Sequence, residues 1–174
     1  NLIVNRMLKE LAHRNQEQDM TSVLNLYENK SIHIKDNTKI NIDDIKREIE
    51  ENKPNVIFID YYQMLRLDNE LSFLKELKEL AVKHELVVFL LSQISRKVEY
   101  RNHKMPLLSD IKGSCLLEDF ADIVLMLYRE SYYNFEDTTK RASVIVSKNT
   151  TGYKTYVSLI FDNGHFSNQP NLNF

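Results

Sequence analysis

Glycine, proline and cysteine are scarce in this 174-residue sequence, with three, three and one respectively, and tryptophan is absent. So few glycines and prolines exclude a collagen-like, linker-rich or low-complexity chain. The lone cysteine, Cys115, excludes an internal disulfide framework and suits a reducing compartment. Apolar runs such as Leu86–Leu91 fall far short of the ~20 residues of a membrane span. Nothing at the start resembles a secretory signal. Together these absences set the expectation of a cytoplasmic protein that does not enter a membrane. Net charge is −2, which supplies no overall attraction to nucleic acid, so any such site must come from local clustering. With so few glycines, the phosphate loop G-x-x-x-x-G-K-[ST] cannot be hidden, and it does not occur. The five histidines, at 13, 33, 84, 103 and 165, have no metal-binding spacing, and no G-x-S-x-G elbow is present.

What is there is an ordinary globular composition, 43% hydrophobic and 28% charged. Leu2, Ile3, Met7, Leu8 and Leu11 recur at helical spacing, so residues 2–13 read as an amphipathic helix already under way at Asn1. That sets the expectation of a fragment or a processed chain. Residues 14–30 are polar around a short apolar patch, and Ser31–Ile34 alternates like a brief strand. A helix with Asp43 and Asp44 in its first turn follows and stops at Pro54. Val56–Asp60 reads as a buried strand. Leu67, Leu71, Leu74, Leu77 and Ala81 line a long helix ending near His84, and Leu86–Leu91 is a second apolar strand. After a basic, turn-prone stretch from Ser92 to Ser114 come a short helix near Leu116–Phe120 and a third apolar strand, Ile123–Tyr128. A polar loop spans Ser131–Lys140. Ala142–Lys148 and Thr155–Phe161 then alternate across a turn and read as a hairpin. Apolar strands separated by helices predict one α/β domain: a mostly parallel sheet with helices on both faces, ending in an antiparallel hairpin.

Ligands of open α/β sheets bind beyond the carboxyl ends of the strands. Three ends carry polar groups: Asp60, Ser92–Gln93 and Lys148. An aspartate there suits Mg²⁺ bound to nucleotide phosphates, or merely caps a turn. Gln93 can orient water or sense a γ-phosphate, since an amide both donates and accepts, or it is a loop residue without a role. Lys148 can set a cation against phosphate, although exposed lysines are common at hairpin ends. Between Ser95 and Lys112, the cations Arg96, Lys97, Arg101, Lys104 and Lys112 face only Glu99 and Asp110. Such a loop suits a phosphodiester backbone, or is simply a solvated surface.

Read in order, these pieces resemble the C-terminal ATPase domain of DnaB-family replicative helicases. VIFIDYYQML (Val56–Leu65) is similar to that family's IDYLQL motif, and LSQISRKVEYR (Leu91–Arg101) to SQLSR-x-VE-x-R. PLLSDIKGSCLLEDFAD (Pro106–Asp122) resembles P-x-x-SDLRESG-x-IEQDAD without a gap. Ile123–Tyr133 is similar to the strand ending in YR-x-x-x-Y, and KNTTG (Lys148–Gly152) to K-x-RNG. The likeness runs from about Ile32 to Phe166, with Leu2–Leu11 matching a helix after the family's second strand.

The resemblance implies a partial RecA-like domain over residues 1–174, without the phosphate-loop strand and helix. It implies a parent protein that is an ATP-dependent DNA helicase, with this chain alone inactive. Asp60 would bind Mg²⁺, Gln93 would sense the γ-phosphate of ATP, and Lys148 would reach the nucleotide of a neighbouring subunit in a homo-hexamer. Lys112, Gly113 and Cys115 would lie on the loop that tracks single-stranded DNA, with Arg96 and Arg101 in the adjoining basic segment. Primase and a helicase loader are the further partners implied. Thr150 stands where the family has its arginine finger, a residue type that speeds phosphoryl transfer by roughly 10³–10⁵. Gly113 and Cys115 replace the family's Glu and Gly, and a cysteine lacks glycine's freedom of φ. These departures keep open a second reading, a degenerate helicase-like protein that binds DNA or helicase subunits without hydrolysing ATP.

Overall fold

The computed structural model describes residues 32–36, 40–113 and 115–168. The chain divides into two compact units, Asn1–Asp36 and Asn37–Phe174. The expected helix over 2–13 and the reading of 14–30 lie outside the described residues. In the first unit, residues 32–34 form no strand, against the expectation for Ser31–Ile34. No helix among the described residues is long and apolar enough to cross a membrane.

The second unit opens with helix α1, Ile42–Asn52. Asn41 accepts from the Asp44 N–H and Asp44 returns the bond, a reciprocal cap that satisfies two otherwise orphaned donors. The helix closes at Lys53, whose left-handed φ of 43° is followed by Pro54. Strand β1, Val56–Ile59, comes next, then helix α2, Glu70–Lys83, and strand β2, Val87–Leu90. Asn69 caps α2 by accepting from the Ser72 N–H at 3.0 Å. The buried stripe of α2 is Phe73, Leu74, Leu77 and Leu80. It differs from the predicted face because α2 starts only at Glu70. Leu67 belongs to the approach loop and Leu71 is 51% exposed.

β1 and β2 pair in parallel, Val56 with Val87 through Ile59 with Leu90. Ile57, Ile59, Val88 and Leu90 pack against a core built from α1 and α2, including Ile45, Ile49, Leu74 and Leu77. Each such side chain contributes about 1.5–3 kcal/mol when fully buried. The opposite face carries Val56, Phe58, Val87 and Phe89, all exposed, with the two phenyl rings stacked at 4.6 Å.

After helix α3, Cys115–Phe120, the chain forms a second sheet of four antiparallel strands. These are β3 (Ile123–Arg129), β4 (Arg141–Asn149), β5 (Thr155–Asp162) and β6 (His165–Asn168), in that spatial order. A short helix α4, Glu130–Tyr133, opens the loop between β3 and β4. The predicted β4–β5 hairpin is present, its pairing running from Arg141 with Ile160 to Val146 with Thr155. Strand β6 goes beyond the expectation. Asn163 and Gly164 turn the chain into β6 with φ of 49° and 86°, the pair of left-handed residues that a tight hairpin needs.

The architecture is α/β, as expected, with a different balance of pairing. Among the described residues only β1 and β2 pair in parallel, and no ladder joins them to β3. The apolar run Ile123–Tyr128 reads like a central parallel strand. Instead it pairs with β4 along its length, and only Met126 is fully buried.

Candidate functional site

Parallel pairing sends β1 and β2 out at the same edge. Leu91 N–H donates to the Ile59 carbonyl at 3.0 Å, and Tyr62 N–H donates to the Leu91 carbonyl at 2.8 Å. Asp60 is therefore held between these bonds, beside the start of the segment carrying Ser92 and Gln93. The Asp60–Tyr61 peptide is cis. Asp60 is exposed, and its carboxylate has no protein partner among the described residues.

Gln93 is exposed and begins an antiparallel pairing with the far end of the basic loop. Ser95 N–H donates to the Asp110 carbonyl at 2.6 Å, Lys112 N–H donates to the Gln93 carbonyl at 2.8 Å, and Ile94 bridges Ile111 between them. The Lys112 ammonium reaches Gln93 Oε1 at 3.5 Å. The structure thus brings Asp60, Gln93 and Lys112 to one end of the parallel pair. Gly113 follows with φ of +121°, a conformation that glycine adopts and L side chains rarely do. Cys115 is the first residue of α3 and is exposed, so the φ freedom it lacks is not demanded of it.

The basic residues separate into two groups. Arg96 and Lys97 are exposed. Arg101 is turned inward: its Nη2 donates to Asp110 Oδ2 at 2.6 Å and to the Met105 carbonyl at 3.0 Å. Asp110, 5% exposed, also accepts from the Leu107 N–H at 2.8 Å. Lys104 donates to the carbonyls of Glu99 and Arg101. These two cations hold the loop's own shape, a different task from the DNA contact expected of Arg101. Through these two bonds Asp110 ties Arg101 to the Leu107 backbone within the loop.

Lys148 does not join Asp60 and Gln93. It lies in the other sheet, paired with Val124 near the start of β3. Its ammonium donates to the carbonyls of Glu118 at 2.6 Å and Asp119 at 3.4 Å, at the negative end of α3. Thr150 is exposed in the β4–β5 turn, where its N–H donates to the Asp122 carbonyl at 3.0 Å. Strand β4 runs antiparallel to β3, so its end lies beside the start of β3 instead of beyond the end of that strand.

Two residues escaped the sequence reading. Gln63 lies in a short turn of 3₁₀ helix, Tyr62–Met64, and bonds to both Gln93 and Lys112. Its signal was a lone amide inside the apolar stretch YYQML. Tyr62, 3% exposed, walls the adjoining hollow with Gln63, Glu70 and Gly113. Burial, and then the nearby Glu70 charge, push its phenol up to about 12.

The family profile described as DnaB-like helicase C-terminal domain matches residues 2–168. The chain is 35% identical over 156 residues to the replicative DNA helicase DnaB of Geobacillus stearothermophilus, covering 82% of this chain and 34% of that protein. It is 38% identical over 128 residues to a probable plasmid replicative DNA helicase of Chlamydia psittaci, covering 68% and 28%. Among solved structures, one described as an ATPase domain superposes with a TM-score of 0.83 at 28% identity, covering 95% of this chain and 69% of that one. A DnaB-like replicative helicase, described with its interactions with primase, gives 0.81 at 29% identity, covering 94% and 46%. The chain belongs to the DnaB-like helicase C-terminal domain family. It spans about a third of the length of these curated relatives.

Proposed function

We propose that this chain is part of the ATP-driven motor of a replicative DNA helicase that moves along single-stranded DNA and unwinds duplex. The observation that carries the reading is the shared edge. Asp60 and Gln93 leave adjacent parallel strands at the same end, and Lys112 is hydrogen-bonded to Gln93 there. In this reading the carboxylate at that end serves a metal, the amide a phosphate and the cation a nucleic-acid backbone.

The residues fit a nucleotide-bound Mg²⁺. A magnesium site with phosphates as ligands needs only one or two carboxylates, the rest being phosphate oxygens and water. Asp60 offers one unpaired, exposed carboxylate, and no cluster of three or more candidate metal ligands occurs among the described residues. When bound, the ion would neutralise charge developing on the transferred phosphoryl group. Asp60 would hold it, and Gln93 would orient a γ-phosphate or the attacking water through its amide. Arg96, Lys112 and Gly113, with Cys115 at the start of α3, would follow the DNA backbone. Arg101 would act only by shaping that loop.

In this reading the parallel pair belongs to a larger RecA-like, mostly parallel sheet. Lys148 serves the nucleotide of a neighbouring subunit in a homo-hexamer, and primase and a loader are further partners. This chain has no G-x-x-x-x-G-K-[ST] loop, so by itself it holds nucleotide poorly and is inactive. Thr150 favours a second reading: the family's arginine position carries no charge here, as in a helicase-like subunit that binds without hydrolysing.

Asp60→Ala in the full-length protein tests the first reading. Loss of the metal ligand should reduce Mg²⁺-dependent ATP turnover by roughly 10²-fold or more. The fold should survive, because Asp60 is exposed and makes no side-chain bond among the described residues. Unchanged turnover would remove Asp60 from the metal site. No turnover in the unmutated full-length protein, with DNA binding intact, would favour the second reading.

A further inference from the structure

The Gln63 amide has one carbonyl oxygen and two N–H groups, and all three are engaged. Nε2 donates to Ser92 Oγ at 2.7 Å and to the Lys112 carbonyl at 2.5 Å. Oε1 accepts from the Gln93 N–H at 3.1 Å. A backbone carbonyl only accepts and a backbone N–H only donates, so the amide has a single possible orientation. One half-buried side chain therefore joins three segments: the exit of β1, the exit of β2 and the end of the basic loop.

Those joints differ from the pairing already described. The backbone bonds between 93–95 and 110–112 fix the second and third segments to each other along one edge. Two chains joined along one edge can still swing together as a flap. A third tie, from a residue three positions beyond Asp60, triangulates the arrangement and stops the swing. Direct contact between the two functional side chains, Lys112 Nζ to Gln93 Oε1, is 3.5 Å and exposed, too weak a link to do this.

We propose that Gln63 is a positioning residue that couples the nucleotide end of the site to the DNA loop. It fixes the backbone of Gln93 and of Lys112–Gly113 as one body against the end of β1. A displacement of Gln93 by bound nucleotide is then passed to Lys112 instead of being absorbed by the loop. The inference rests on the reading of Asp60 and Gln93 as the nucleotide site and of Lys112 as the DNA contact.

The test uses the full-length protein with Gln63→Glu, Gln63→Ala and, separately, Asp60→Ala. Glutamate keeps the shape and the acceptor for the Gln93 N–H. It replaces the donors with an oxygen that repels the Lys112 carbonyl. The readout is the ratio of DNA-stimulated to DNA-free ATP turnover, which a merely structural loss would lower in both terms alike. We expect that ratio to fall about fivefold or more in both Gln63 variants, the size of a typical coupling between sites. If Gln63→Ala does not fold, Gln63→Glu carries the test. An unchanged ratio in Gln63→Glu, with Asp60→Ala inactive, overturns the coupling and leaves the nucleotide site standing. Full turnover in Asp60→Ala instead overturns the reading beneath it.

Discussion

Replacing Arg101 by methionine separates the two tasks that a cation in this loop can have. Methionine keeps much of the packing of the arginine stem and removes the guanidinium. Asp110 is 5% exposed, and the change leaves the Leu107 N–H as the remaining donor to its Oδ2. A hydrogen bond to a charged group contributes about 1.5–3 kcal/mol. The Arg101 side chain is 32% exposed, so water screens part of the attraction, and the expected loss is about 2 kcal/mol. For a domain of this size that lowers Tm by about 4–8 °C. Thermal unfolding by circular dichroism reads the first quantity. Titration of a labelled single strand at several salt concentrations reads the second. Each phosphate contact on a single strand adds about 0.7 to the slope of log affinity against log salt. Arg101→Met should leave that slope alone, whereas Lys112→Ala should lower it by about 0.7, because the Lys112 ammonium is exposed and only weakly held. A lowered slope with an unchanged Tm in Arg101→Met would show that the Asp110 pair does not confine this side chain.

Two further outcomes follow from the same corner of the fold. The Tyr62 phenol is raised from 10.0 to about 12, so in the folded chain it stays protonated where the unfolded chain has already ionised. Stability is unaffected well below pH 10 and is lost as pH rises from about 10 to about 12, by about 2–3 kcal/mol. Tyr62→Phe should escape that loss in urea unfolding, and parallel pH curves for the two proteins would count against it. Gly113→Ala places a side chain at a φ of +121° and should cost about 1–3 kcal/mol. An unchanged Tm would mean that the backbone at residue 113 relaxes freely.

Most of the elements after Asn41 were legible because their signals are local. Asp43 and Asp44 mark the first turn of α1, Pro54 its stop, and two apolar runs with a helical stripe between them mark β1, α2 and β2. Sheet assignment was less legible, because a continuous apolar run does not say which neighbour it will pair with. Ile123–Arg129 has the composition of β1 and β2 but takes β4 as its partner. Strand β6 was missed although Asn163–Gly164 is among the strongest short-range hairpin signals. The run His165–Asn168 that follows is too short and too polar to read as a strand unaided.

For the site, residue type was legible and engagement was not. Asp60 and Gln93 could be found because a polar residue after an apolar strand stands out against its surroundings. Nothing in the spacing of Arg96, Lys97, Arg101, Lys104 and Lys112 distinguishes a cation that faces solvent from one that faces a buried carboxylate. That distinction arises from the chain crossing back on itself, which sets Asp110 nine residues away beside Arg101 and leaves Lys112 outside. The same crossing brings Gln63 within reach of both Gln93 and Lys112, across 30 and 49 residues of sequence. A local charge count therefore overstates the electrostatic reach of such a loop. Two of its five cations, Arg101 and Lys104, are held inward, and the attraction left for a phosphate backbone rests on Arg96, Lys97 and Lys112.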